Sequence, residues 1–63
     1  MYEVIAYNGL NETKFDEYYL DKEYALSMFN TAMKCVDCHR VILLSATTGE
    51  IFAEWCCGKL EIF

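Results

Sequence analysis

The chain contains no proline, only three glycines, and only five basic residues against ten acidic ones. The formal net charge of −5 repels phosphate backbones and anionic membrane surfaces, so direct binding to nucleic acid or to a membrane is disfavoured. No apolar run approaches the roughly 18 residues of a bilayer span, and the N-terminus lacks the basic start and apolar core of a signal peptide. We therefore expect a cytoplasmic protein.

Linkers, internal repeats and low-complexity segments are also missing. The composition is 56% hydrophobic and 24% charged, which differs clearly from the low hydrophobicity and high charge of disordered chains. A domain of 63 residues buries only about 60% of the surface that its unfolded chain exposes. We therefore predict one folded domain over residues 1–63, with marginal stability.

Two strands and a helix are predicted in the first part of the chain. β-branched and aromatic side chains indicate a strand at residues 2–8, and alternation indicates a second strand at residues 13–20 after a turn. Asp21 is the expected N-cap of the helix that follows. The apolar side chains of this helix recur every three or four residues from Ala25 to Val36, which is typical of an amphipathic helix with one buried face.

Two further strands are predicted in the second part, on either side of a turn at residues 47–49. The order ββαββ with a right-handed crossover gives an α+β fold: a fully antiparallel four-stranded sheet in the order 2-1-3-4, with one helix on one face. Residues 58–63 alternate as well, and they fit either a short fifth strand or a strap over exposed apolar surface.

The predicted third strand begins with four consecutive apolar residues, from Val41 to Leu44. Successive side chains of a strand point to opposite faces, so a run without alternation is typical of a strand that is covered on both sides. One helix covers only one face, and the sequence does not say which. We expect the other face to expose about 300–600 Å² of apolar surface, a size of patch that is usually functional. The residues predicted for this interface are Ile5, Tyr7, Val41, Leu43 and Phe52.

The four cysteines raise the hypothesis of a metal site. Cys35, Cys38 and His39 together with Cys56 or Cys57 offer the ligand types and the CxxC spacing of a structural zinc site. Adjacent Cys56 and Cys57 on a strand point to opposite faces, so both cannot easily bind one ion. Reduced thiols that act as small apolar side chains are the favoured interpretation, and zinc is the alternative.

Motifs of catalysis are missing from the sequence. It contains no phosphate-binding glycine loop, no nucleophile elbow and no motif of paired carboxylates. His39 is the only histidine, and neighbouring Asp37 has no reason to orient it as a general base. The CxxC segment stands at the end of the predicted helix, where the helix dipole disfavours a thiolate. We therefore expect no enzyme and no cofactor.

Three segments carry a resemblance: MYEVIAYNG, YYLDKEYALSMFNTAM and RVILLSATTGEIFAEW, in this order. With them the chain resembles small cytosolic proteins of phages and bacterial mobile elements. The resemblance implies a compact helix-on-sheet domain and, for some such proteins, binding and inhibition of a host factor. It carries over no functional residue.

These observations predict a non-enzymatic interaction protein, either a homodimer formed through its uncovered sheet face or a binder of another protein such as a host or defence factor. The alternatives are the small structural-zinc domain described above and a small-molecule or peptide binder that uses Tyr and Phe side chains of the sheet.

Overall fold

A computed structural model describes residues 1–63. One helix packs on a five-stranded antiparallel sheet whose strand order is β2-β1-β3-β4-β5. The elements are β1 (Tyr2–Tyr7), β2 (Thr13–Tyr19), α1 (Lys22–Met33), β3 (Arg40–Ser45), β4 (Ile51–Cys56) and β5 (Lys59–Ile62).

The predicted combination of one helix with an antiparallel sheet is confirmed, but the predicted number of four strands is wrong. The tail adds a fifth strand because Cys57 and Gly58 both take positive φ, 54° and 84°, as a two-residue hairpin turn of type I′ requires. Lys59 then pairs with Cys56. The tail therefore continues the sheet and does not cross over it as a strap.

The helix begins where the sequence predicts. The side chain of Asp21 accepts a hydrogen bond of 3.2 Å from the backbone N–H of Glu23, which satisfies one of the free donors at a helix start. The helix ends at Met33, before the apolar pattern does. Val36 is consequently 91% exposed, and its predicted place on the buried face is wrong. The backbone N–H of Cys35 bonds to the carbonyl of Ala32, which tightens the last turn and ends the helix.

The core lies between α1 and one face of the sheet. Ala25, Phe29 and Ala32 form the buried side of the helix, and their four-residue and three-residue spacing places them on one stripe. The helix packs mainly on β1, β2 and β3. The buried cluster consists of Val4, Ala6, Ala25, Phe29, Ala32, Cys38, Val41, Leu43 and Ala53.

Strand register decides which apolar side chains the helix covers. In the β1–β3 ladder Ile5 pairs with Ile42, so Val41 and Leu43 point to the face opposite that of Ile5. Val41 and Leu43 are 0% and 1% exposed beneath the helix, and their predicted place on the uncovered face is wrong. A one-residue difference in register moves every side chain of a strand to the other face, and nothing local in the sequence fixes that register.

Phe52 is also misplaced by the sequence prediction. In the β3–β4 ladder Leu43 pairs with Ala53 and Leu44 pairs with Ile51, so Phe52 is the extra residue of a β-bulge. Its ring packs against the core and lies 5.9 Å from the ring centroid of Tyr2. The bulge therefore turns Phe52 towards the helix side.

Candidate interaction surface

The face of the sheet opposite α1, here called the open face, carries both apolar and charged side chains. The predicted residues Ile5 and Tyr7 do lie on it, because Ile5 pairs with Ile42 and Tyr7 with Arg40. Its aliphatic residues are Ile5, Ile42, Leu44 and Ile51. Charged and polar side chains share the face: Glu3, Tyr7, Asp16, Tyr18, Arg40, Glu54, Lys59 and Glu61.

An ion pair covers the middle of the open face. The Nε of Arg40 donates a hydrogen bond of 2.7 Å to Oε2 of Glu54, and this bond raises the pKa of the Arg40 guanidinium. Glu54 pairs with Ile42 across the ladder, and Arg40 precedes Ile42 by two residues on the same face. The stems of such long side chains cover neighbouring apolar surface, which explains why Ile42 is only 6% exposed.

An acidic corner lies at the β2 side of the open face. Glu3 pairs with Tyr18, and Asp16 pairs with Ile5. The hydrogen bond between the Glu3 and Asp16 carboxyls, together with partial burial and their like charge, raises the pKa of Glu3. The same two carboxylates raise the pKa of Tyr18. The open face is thus a mixed surface in which polar side chains surround a small aliphatic centre.

A second uncovered apolar area lies on the helix side, over β4 and β5. Trp55 pairs with Val41 and with Leu60, and Ala53 pairs with Leu43 and with Ile62, so these side chains share the face of the core. Leu60 is 47% and Ile62 72% exposed. We call the group Phe52, Trp55, Leu60 and Ile62 the shelf.

The shelf is uncovered because the helix is too narrow for the sheet. An α-helix with its side chains is about 10–12 Å wide, whereas neighbouring strands lie about 4.8 Å apart, so one helix covers two or three strands. Here those strands are β1, β2 and β3. Phe52 and Trp55 pack against the core cluster, and the shelf is therefore an exposed continuation of the core.

The helix forms one wall of the shelf. The Nζ of Lys22 lies 5.4 Å from the centroid of the Phe52 ring, so this side of α1 faces β4. Leu26 follows one turn later on the same side of the helix and is 39% exposed. Leu26 on the helix and the shelf on β4 and β5 therefore form one continuous apolar surface.

The four cysteines have free thiols. Cys35 lies beside Cys38, and Cys56 lies beside Cys57. Cys38 is buried in the core cluster, and burial, followed by a hydrogen bond with Cys35, raises its pKa. Cys56 and Cys57 are exposed, with their Sγ atoms 3.6 Å apart. Cys56 pairs with Arg40 and hence belongs to the open face. No group of three or more His, Cys, Asp or Glu side chains is arranged to hold a metal ion.

His39 is held by its backbone and by its ring. Its N–H donates to the carbonyl of Tyr7 at 2.8 Å, and its carbonyl accepts from the N–H of Cys57 at 3.0 Å. The imidazole lies against Gly9, where a Cβ atom would stand 3.2 Å from the ring. The structure therefore places His39 as a link between the two hairpins.

One depression marks the surface at the junction of β2 and α1. It has a volume of 410 Å³ and is lined by Tyr18, Tyr19, Leu20, Asp21 and Tyr24. The rings of Tyr19 and Tyr24 stack in it with centroids 5.3 Å apart. Two of its tyrosines, Tyr18 and Tyr19, belong to the sheet and Tyr24 belongs to the helix, whereas the small-molecule alternative names Tyr and Phe side chains of the sheet.

Comparison with known proteins adds no relative: no protein-family model, curated protein or solved structure matches this chain. Its helix is neither long nor apolar enough to cross a bilayer. The surface is therefore interpreted from its own geometry.

The sequence prediction did not include Trp55, Leu60 and Ile62 among the surface residues of interest. Two features of the sequence indicate them: the alternation in Lys59–Ile62 predicts a further strand, and a single helix is too narrow to cover it.

Proposed function

We propose that this protein is a non-enzymatic interaction protein that self-associates through the shelf. The observation that carries the proposal is the exposure of Leu60 and Ile62, 47% and 72%, in direct continuation of the buried core. Aliphatic side chains of this kind are buried in the covered part of the same sheet face. A contiguous apolar surface rimmed by polar residues is typical of a protein-binding site.

The shelf replaces the open face as the proposed contact surface. On the open face the Arg40–Glu54 pair already shields Ile42, and a partner that covers this face would have to bury that pair. Burying polar groups that are paired with each other also costs free energy unless new partners are found. On the shelf Trp55, Leu60 and Ile62 take part in no ion pair, so covering their apolar side chains breaks no such contact.

The expected association is weak to moderate. Complete burial of a Leu or Ile side chain contributes about 1.5–3 kcal/mol relative to exposure, and Leu60 and Ile62 are half-exposed to mostly exposed. Association itself costs about 4–15 kcal/mol in lost translational and rotational freedom. Apolar burial alone therefore does not give a tight complex, and main-chain or charge contacts must add to it.

Trp55 gives a direct test, because the only tryptophan of the chain lies on the shelf. We expect its fluorescence maximum to move to shorter wavelength as protein concentration rises, since association removes water from the indole. Native mass spectrometry should show a dimer at the same concentrations. The change Ile62→Asp should abolish both signals.

The control is Leu20→Asp, which alters a residue of comparable exposure, 82% against 72% for Ile62, at the far end of the sheet. It should leave the dimer and the fluorescence shift unchanged. A monomer at every concentration would contradict the proposal, and so would equal behaviour of the two variants. A foreign protein in place of the second copy, as the resemblance to phage proteins implies, would give a monomer whose shelf stays accessible to solvent.

The same mass spectra test the zinc hypothesis. A mass increment of one zinc ion that a chelator removes would favour a metal domain that uses Cys35, Cys38, His39 and Cys56 or Cys57. We expect the apo mass, because the thiols lie in two separate pairs.

A further inference from the structure

The outer edge of β5 has free main-chain groups. The N–H of Phe63 donates to the carbonyl of Phe52, so Phe63 directs its hydrogen-bonding groups towards β4. In an antiparallel ladder this direction alternates from one residue to the next. The N–H and C=O groups of Leu60 and Ile62 therefore point outwards, away from β4, and are ready to pair with another strand.

Lys59 and Glu61 have no ionic partner within the chain. The ion pairs of the structure are Lys14–Asp37 and Arg40–Glu54. Within the sheet Glu61 instead pairs with Glu54, a residue of the same sign whose charge Arg40 already neutralises. The edge strand thus presents one positive and one negative side chain, two residues apart on the same face, each without a counter-ion.

The charges of β5 favour one register for a second copy of this strand at the edge. When two identical strands pair antiparallel about a two-fold axis perpendicular to the sheet, the axis passes through one residue position, which faces itself. Only an axis at Leu60 places Lys59 of each copy opposite Glu61 of the other copy, which gives two ion pairs. An axis at Glu61 places two carboxylates opposite each other, and an axis at Lys59 places two ammonium groups opposite each other, both of which are unfavourable.

The hydrogen-bonding pattern agrees with the same register. The N–H and C=O groups of Leu60 both point outwards. Two Leu60 residues that face each other can therefore form two N–H···O hydrogen bonds, one from each copy to the other. On the helix side the two Leu60 side chains then meet directly. The two shelves then form one continuous apolar trough between the two helices. The β5–β5 ladder adds main-chain hydrogen bonds and Lys59–Glu61 ion pairs to this apolar burial.

We propose that β5 pairs antiparallel with β5 of a second copy of this chain, with Leu60 facing Leu60 and Lys59 facing Glu61, which produces a continuous ten-stranded sheet. This inference rests on the proposed self-association and adds its partner and register. Since the paired segment is short, the interface is smaller than that of a standard stable complex, and we expect a dissociation constant in the micromolar range.

Charge reversal tests the register. In Lys59→Glu the two-fold axis creates two Glu–Glu contacts, and in Glu61→Lys it creates two Lys–Lys contacts. Each variant should raise the dimer dissociation constant at least tenfold, measured by sedimentation equilibrium, while circular dichroism reports an unchanged fold. An equimolar mixture of the two variants should form a heterodimer of near wild-type affinity, because each acidic strand then faces a basic one. The double variant Lys59→Glu/Glu61→Lys should again form a homodimer.

Matched controls lie on the opposite edge strand β2. Lys14→Glu and Glu17→Lys should leave the dissociation constant unchanged. A wild-type dimer that persists in both single variants refutes the β5 register and leaves self-association standing. A monomeric wild type refutes both proposals. A mixture that dimerises no better than either variant alone refutes the charge complementarity, and hence the register.

Discussion

The helix side of the sheet has a covered half and an uncovered half, built from the same kinds of side chain. In the covered half Val4, Val41 and Leu43 are 0%, 0% and 1% exposed. In the uncovered half Leu60 and Ile62 are 47% and 72% exposed, although they point to the same side. The difference lies in the width of a helix relative to a five-stranded sheet. Residue type alone therefore does not report burial in a domain this small.

The largest expected effect comes from truncating a fully buried side chain of the covered half. Leu43→Ala should lower the free energy of unfolding by about 2–5 kcal/mol, because it deletes buried methyl groups and leaves a cavity. Leu60→Ala, its counterpart in the uncovered half, should cost much less in a dilute monomer. Urea denaturation followed by circular dichroism measures both. Equal losses would remove the distinction between the two halves.

The next effect concerns the turn that attaches the uncovered half. Gly58 has φ +84° with no atom within 4 Å of an added Cβ, so Gly58→Ala should cost about 1–2 kcal/mol through backbone strain alone. The outer strand should loosen with it, and both the amide protection of Lys59 and Glu61, whose main-chain groups point towards β4, and dimer formation should fall.

Gly49, with φ +78° and equally open surroundings, is the matched control in the β3–β4 turn. Gly49→Ala should reduce stability by a similar amount while hydrogen exchange in β5 follows only the global change. Unchanged protection of the β5 amides in Gly58→Ala would contradict a role of this turn in fixing β5 on β4.

The smallest expected effect is a pH dependence of stability that comes from Glu3 on the open face. The Asp16 hydrogen bond and partial burial raise the pKa of Glu3 above its ordinary value of 4.5. The folded state therefore holds this proton more tightly than the unfolded state. Its contribution to stability is complete below pH 4.5 and is lost as pH rises through the raised pKa. Thermal melts from pH 4 to 7 should show a shallower dependence for Glu3→Gln, and identical slopes would contradict the assignment.

Local signals in the sequence identified most of the elements. The first two strands, the Asp21 cap, the helix and the second hairpin depend on propensity and on contacts between near neighbours, and the structure contains them all. The helix end was overestimated because Val36 fits the apolar period, although the turn at Cys35 had already closed the helix. Apolar period alone does not mark a helix end.

Non-local choices were harder to predict. The β1–β3 register depends on residues such as Val4 and Leu43 that are far apart in the chain, and an unbroken apolar run allows either face to be buried. The bulge at Phe52 then changed the alternation expected within the second hairpin. The candidate surface shifted accordingly: Ile5 and Tyr7 are on the open face, whereas Val41 and Leu43 are not.

The interior position of β1 also has a consequence for the order of folding events. The strand made first lies inside the sheet, between β2 and β3, and β3 becomes available only after the helix has been synthesised. Hairpin β1–β2 and the β3–β4–β5 meander close over short loops, whereas the β1–β3 junction joins distant segments and so carries most of the loop-closure entropy. We expect docking at that junction to limit the folding rate, with each meander forming rapidly but remaining marginal until it occurs.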